Sequence, residues 1–413
     1  MTTLSIRAAA AEHGDRAAVI TREHTWTFAE CAATVVDDDA IIADRNISTI
    51  LAIYSALEAQ RPLALIHAKQ PAGPRVEQQR AYAAAQHLVP PADTAFVLFT
   101  SGTTGTSRGV VLSRTAIVAA AAASEARFGW RDDDRWLLAL PLAHAGGLSI
   151  VVRCLIARRP IVLYEGDFDP ARVAELIARA RPTLASLVPA QLTELLATPA
   201  GALRAVVLGG AAAMPALVDR AVAAGWPVYP SYGLTETFGQ IATATRPGGP
   251  LVVLPGVEIS TADTLTIRAP QLATSYLDGV PIAPELVTSD LGELDADGTL
   301  RVLGRRDDMI NTGGEKVHPL DVERVLTTTP GVRAACAFGV ADERFGRVVA
   351  AVIVGDEHFD RASALEHWRQ ALPTYARPRW LARVDNLPLL PSGKLDRRAI
   401  AALPIEVVAY RSW

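Results

Sequence analysis

The chain has 413 residues, half of them hydrophobic and a fifth charged, with a formal net charge of −4. That length exceeds one ordinary core and predicts at least two domains. The near-neutral charge removes the electrostatic case for nucleic acid or an anionic membrane as a general partner. Three scattered cysteines, Cys31, Cys154 and Cys336, make neither a disulfide framework nor a metal cluster, and predict a reducing, cytoplasmic setting. The start has no basic stretch followed by a long apolar one, so no signal peptide is expected. The longest uncharged run, Leu137–Val152, is interrupted by Pro141, Gly146 and Gly147. It reads as buried core beside a site, too short to span a membrane.

The first ninety residues alternate helical patterns such as "TILAIYSALEAQ" with apolar segments such as "PLALIHA". Ala95–Thr100 ("AFVLFT") is short, apolar and ended by glycine, which predicts a buried strand. Ser113 is placed to cap a helix over Thr115–Arg127. "PIVLY", "LASLVP", "AVVLG" and "PVYPSYG" read as strands, separated by helical "PARVAELIARA" and "ALVDRAVAAG". That alternation predicts a parallel α/β sheet. After about Pro255, "TLTIRAP" and "GTLRVLG" are short alternating strands with a turn at Asp297-Gly298, as in antiparallel β structure. Gly304–Lys316 is polar and glycine-containing and reads as a linker. Beyond it come a helix over the Pro319–Leu326 region, a strand pair at "AACAFGV" and "VVAAVIVG", a helix at "ASALEHWRQAL" and a last strand near "WLARVDNL". The expected class is α/β. A large domain (1–306) of parallel and mixed sheets with a small β-barrel-like part precedes a small α+β domain (307–413).

Four polar stretches interrupt this pattern. The first, "TSGTTGTSRG", comprises Thr100, Ser101, Gly102, Thr103, Thr104, Gly105, Thr106, Ser107, Arg108 and Gly109. Glycines expose backbone N–H groups and hydroxyls add donors, so the loop suits phosphate oxygens, with Arg108 adding charge. An ordinary surface loop fits equally well. It is not a Walker A motif, because Ser107 stands where the second glycine belongs. In "YGLTET", Tyr232 suits stacking on a base, Thr235 a phosphate and Glu236 a Mg²⁺ ion. A packed tyrosine and a solvated glutamate are the plain alternative. Asp290 suits ribose hydroxyls and Arg305 offers a fork of donors, or both belong to a solvated hairpin. Lys394, in "PSGK", reads by composition as a solvated lysine after a turn.

Together with "GGAAAMP" (Gly209–Pro215), these stretches resemble, in order, spacing and wording, the adenylate-forming acyl-CoA synthetases, a family that includes luciferases and peptide-synthetase adenylation domains. The likeness runs from Phe96 to Arg398. It implies an enzyme that uses ATP, Mg²⁺ and coenzyme A to convert a carboxylic acid to an acyl-adenylate and then a thioester. By resemblance Lys394 bridges acyl and phosphate oxygens, Glu236 beside Thr235 holds Mg²⁺, and the opening loop holds the outer phosphates. Asp290 and Arg305 hold the ribose; Gly210, Ala211 and Tyr232, followed by Gly233, hold the adenine. Asp307 matches the hinge about which the small domain rotates, and Gly313 and Gly314 match a pantetheine tunnel. Ser107-Arg108 departs from the family's usual Pro-Lys, Asn311 stands where many members carry lysine, and the N-terminal region is short.

Within the family, "LPLAHAGGLSIVVRCLIARRPIVL" looks most like the o-succinylbenzoate–CoA ligases of menaquinone biosynthesis. His144, Gly209 and Ser231 would then line the acyl pocket, or His144 is a packed core histidine. Such a substrate is a dianion and needs a cation for its second carboxylate. Arg153 is a candidate, although its plain reading is an arginine on a helix surface. Another aryl- or acyl-CoA ligase, or a stand-alone adenylation domain loading a carrier protein, are the alternatives. The partners expected are the acid, ATP and CoA, not nucleic acid or membrane, with a homodimer open as the assembly.

Overall fold

The computed structural model describes residues 2–89, 93–100, 107–390 and 394–408. The chain divides into two compact units. One comprises Met1–Gly210, Ala221–Ile259 and Thr266–Leu286; the other comprises Ala211–Arg220, Ser260–Leu265 and Val287–Trp413.

The first unit is built on two sheets. In the larger, Val228–Leu234, Ala205–Leu208, Leu184–Leu187, Trp136–Leu138, Ile161–Leu163 and Ala17–Ile20 run parallel in that order. Gly239–Thr243 and Thr25–Thr27 close its two edges antiparallel. The central strands are apolar on both faces, as a parallel sheet covered by helices requires. In the smaller sheet Ala40–Ala43, Leu63–His67 and Thr94–Phe99 are parallel, and Gly109–Ser113 and Ser275–Tyr276 add to it antiparallel. The expected helix after Ser113 is present as Arg114–Phe128, and Ser113 Oγ accepts from Ala116 N–H at 3.0 Å. "PARVAELIARA" is the helix Pro170–Ala180, with Asp169 capping it and proline in its first turn. Leu137–Val152 forms strand, turn and helix, almost wholly buried.

In the second unit, Asp290–Leu294 and Thr299–Arg305 form an antiparallel hairpin around the expected Asp297-Gly298 turn, Gly298 at φ +82°. The segment read as a linker is more ordered than that. It holds a single 3₁₀ turn, Arg306–Asp308, and a second hairpin, Ile310–Thr312 with Glu315–Val317. Gly313 and Gly314, both at positive φ (+60° and +93°), are its two-residue turn, so the chain needs glycine there for backbone reasons alone. The helix Pro319–Thr327, the long pair Val332–Asp342 with Gly346–Gly355, the helix Arg361–Ala371 and the strand Trp380–Val384 follow as expected. One further short strand, Glu406–Val407, pairs beyond the strand expected to be last. Trp368, fully buried, anchors this unit's core and donates to Thr329 Oγ1 at 2.7 Å.

Candidate functional site

Of the opening loop, Ser101, Gly102, Thr103, Thr104, Gly105 and Thr106 lie outside the described residues, and its neck is described. Thr100 N–H donates to the Arg108 carbonyl at 2.9 Å, and Ser107 Oγ donates to the Thr100 carbonyl at 2.6 Å. The buried Gln78 then donates to Ser107 Oγ at 3.0 Å. Serine, where the family has proline, therefore closes the neck by hydrogen bonds. Arg108 turns to its own unit: it pairs with Asp278 at 2.9 Å and lies 3.5 Å over the Tyr276 ring. Its charge is already matched by a carboxylate.

Tyr276 links this neck to Glu236. Its hydroxyl donates to Glu236 Oε1 at 3.2 Å, orienting a half-buried carboxylate. Burial, with the Glu236 charge adding to it, pushes the phenol up to about 12, so it stays a donor. Thr235 and Glu236 occupy a single 3₁₀ turn, Thr235–Thr237, at the end of the strand Val228–Leu234. That strand runs through Tyr232 and Gly233, as the reading of "PVYPSYG" as a strand expects. Tyr232 is half-buried and packs against the core. A Cβ at Gly233 would sit 1.7 Å from the Gly239 carbonyl oxygen, so only glycine lets the two strands close. Ser231, on the same strand, accepts from Thr243 Oγ1 at 3.2 Å. A Cβ at Gly209 would meet the Ser231 carbonyl oxygen at 3.4 Å, and Gly210 turns at φ +78°.

His144 is the N-cap of the helix Ala145–Ala157, half-buried, its ring 4.9 Å from that of His67. Arg153, on the same helix, corrects its plain reading: it is 4 % exposed and buried. Its guanidinium lies 5.3 Å over the Trp136 ring, in a small cavity lined also by Phe128, Trp130 and the exposed Glu125, with which it makes no ion pair. One Nη is 3.9 Å from where a Cβ would stand at Gly239. Burial pulls its pKa down to about 10. Among the described residues no hydrogen bond or ion pair engages it.

In the second unit, Asp290 and Arg305 face each other in register across their hairpin, Arg305 Nη1 3.8 Å from Asp290 Oδ1. Arg305 also reaches Asp307 at 3.3 Å. Lys394 is exposed, on a hairpin where Leu389 bridges Leu395 and Leu390 N–H donates to the Lys394 carbonyl at 2.7 Å. A Cβ on Gly313 would meet Phe345 at 3.0 Å, whereas one on Gly314 would meet nothing within 4 Å. Ala211 begins a segment of this unit. Sequence reasoning missed Gln78, Tyr276 and Asp278, because each acts through partners far along the chain with no local signature.

The AMP-binding enzyme family matches residues 38–267, and the AMP-binding enzyme C-terminal domain matches residues 321–394. A 2-succinylbenzoate–CoA ligase of Bacillus licheniformis is 34% identical over 334 residues, covering 75% of this chain and 70% of that protein. The Listeria monocytogenes enzyme of the same name is 32% identical over 324 residues, covering 74% and 69%. The solved o-succinylbenzoate CoA synthetase of Bacillus subtilis, in complex with the acyl-adenylate intermediate OSB-AMP, superposes with a TM-score of 0.83 at 26% identity, over 97% of this chain and 98% of that one. An anthranilate CoA ligase bound to anthranoyl-AMP reaches the same TM-score at 18% identity, over 97% and 96%, a likeness of fold alone. On these matches and on the motifs that the fold carries, the chain belongs to the AMP-binding enzyme family, with both the main and the C-terminal parts of that family present.

Proposed function

We propose that this protein is an ATP-dependent acid–CoA ligase that converts 2-succinylbenzoate to its CoA thioester through an acyl-adenylate. The observation that carries the substrate is Arg153. A buried guanidinium without an anionic partner destabilises a fold unless a ligand supplies the charge. The second carboxylate of 2-succinylbenzoate is such a charge. The curated relatives are named for this acid, and the Bacillus subtilis synthetase was solved with its adenylate and also with ATP and a magnesium ion.

In the first step a carboxylate oxygen bonds to the α-phosphorus, the α–β bridging P–O bond breaks, and pyrophosphate leaves. Lys394 offsets the charge that grows on the equatorial oxygens. Glu236 is a hard oxygen donor oriented by Tyr276 and fits a Mg²⁺ ion, which when bound neutralises phosphate charge. Asp290 and Arg305 hold the ribose, and Gly210, Ala211 and Tyr232 the adenine. In the second step the thiol sulfur bonds to the acyl carbon, AMP leaves and the thiol proton passes to solvent. A pivot at Asp307 withdraws Lys394 and presents the Gly313-Gly314 turn to the thiol. Residues 1–306 and 307–413 are the two bodies of that movement.

The test is a panel of acids assayed by CoA-dependent pyrophosphate release, on the native chain and on Arg153→Met. The native chain should prefer 2-succinylbenzoate to benzoate. Arg153→Met should raise KM for the dicarboxylate by about tenfold or more while making the ligand-free protein more stable. No preference for the dicarboxylate in the native chain points to another aryl- or acyl-CoA ligase.

A further inference from the structure

The charged side chains around Asp307 sort by direction. Arg306 pairs backward with Asp263, and Arg305 with Asp290 and Asp307. Asp308 instead faces Arg397 Nε at 3.8 Å. The change of partner falls between Arg306 and Asp308, at the residue to which the proposed function assigns the pivot.

Arg397 is held firmly. Nη2 lies 2.9 Å from Glu323 Oε1, on the helix Pro319–Thr327, and Nη1 donates to the Ala337 carbonyl at 2.9 Å and to Cys336 Sγ at 3.4 Å. Glu323 is 1 % exposed and also accepts from Ala337 N–H at 2.9 Å. Arg397 is the third residue after Lys394 and opens the short helix Arg397–Ala401, which Asp396 caps. Asp396 N–H donates to the Pro388 carbonyl at 2.9 Å and closes the Lys394 hairpin from behind. The Glu323 and Ala337 contacts are enough to seat that helix. The Asp308 contact is long and partly exposed, and adds little to stability. What it does add is a tie between the residue after the pivot and the hairpin of Lys394.

We propose that Arg397 is a positioning residue for adenylate formation: by fastening Asp308 to the Lys394 hairpin, it makes the chain after Asp307 one stiff arm, so that a turn at Asp307 places Lys394. This rests on the assignment of Lys394 and Asp307 above. A loose Asp308 would let part of the turn dissipate in the segment between the pivot and the arm. Lys394 would then arrive misplaced, and misplacement by about 1 Å is costly in rate. Thioester formation does not use Lys394 and takes from this arm only the Gly313-Gly314 turn, on the hairpin that begins at Ile310 next to the pivot, so it should lose much less.

The experiment measures the two half-reactions separately on Lys394→Ala, Asp308→Asn and Asp308→Glu. The readouts are pyrophosphate release without CoA and thioester formation from supplied acyl-adenylate. Asp308→Asn should slow adenylation about tenfold in kcat, with a much smaller fall in thioester formation and with KM for ATP and acid and the melting temperature nearly unchanged. Asp308→Glu, which keeps the charge, should recover most of the loss. Equal loss in both half-reactions, a fall in melting temperature that accounts for the change, or no change at all overturns the inference. If Lys394→Ala itself spares adenylation, the assignment of Lys394 fails instead, and that result is separate from any outcome at Asp308.

Discussion

Each compact unit holds a carboxylate almost completely buried against an arginine, Asp134 in the first and Glu323 in the second, and these two pairs are built differently. Asp134, in the first unit, takes Arg204 through both oxygens at 2.6 and 2.9 Å, the Thr183 hydroxyl at 2.6 Å and Arg131 N–H at 2.7 Å. Burial alone would raise its pKa, but these donors hold it below the usual carboxylate range. Glu323, in the second unit, has Arg397 and Ala337 N–H, and burial still pushes its carboxyl up. The first pair is saturated and fastens strand ends beneath a fixed sheet. The second leaves its arginine an edge toward Asp308 and the Lys394 hairpin. The lesson is that a buried ion pair in the large unit serves the scaffold, whereas the one in the small unit is available to function.

Four measurements sharpen or break that contrast. The largest effect is expected at Asp134: Asp134→Ala leaves Arg204 uncompensated and should cost about 3–5 kcal/mol in urea denaturation. Both half-reactions should then fall only with the folded fraction; a change in their ratio would break the contrast. Next, Lys394→Ala should slow adenylation by about 10²-fold or more, with thioester formation from supplied acyl-adenylate largely intact. Third is pH. The native pKa of Asp134 lies below its ordinary 3.8, so its contribution is present in full above that value and is lost as pH falls through the native one. Native chain and Asp134→Asn should therefore differ most in stability at neutral pH and converge in strong acid. The smallest effect is expected at Arg108: because Asp278 already matches its charge, Arg108→Ala should raise KM for ATP by only about two- to fivefold. A loss as large as that at Lys394 would show that the cation works on the phosphates directly.

Much of the fold was legible because its signals are local. "LASLVP" and "AVVLG" are short apolar runs between turns, and Ser113 and Pro170 mark helix starts through caps and fixed dihedrals. The linker was misread because "INTGGEKV" is polar; its hairpin shows in the backbone register of Ile310 with Val317, not in hydrophobic alternation. The motifs were legible as a set, through order and spacing. Their neighbours were not: Tyr276 reaches Glu236 across 40 positions and Arg108 reaches Asp278 across 170. Arg153 was misjudged because a helix of apolar residues carrying one arginine reads as an exposed cation. Its burial depends on Trp136 and Trp130, which lie outside the helix.

By itself, then, the sequence determined which elements form, which glycines turn the chain and which family the chain resembles, since propensity, capping and motif spacing act over a few residues. Tertiary structure decided which charges are spent and which remain available. Asp278 balances Arg108, Arg397 is held by Glu323 with an edge toward Asp308, and Arg153 is enclosed by aromatic rings. Charge compensation is a matter of distance and burial, and packing sets both between residues far apart in the chain.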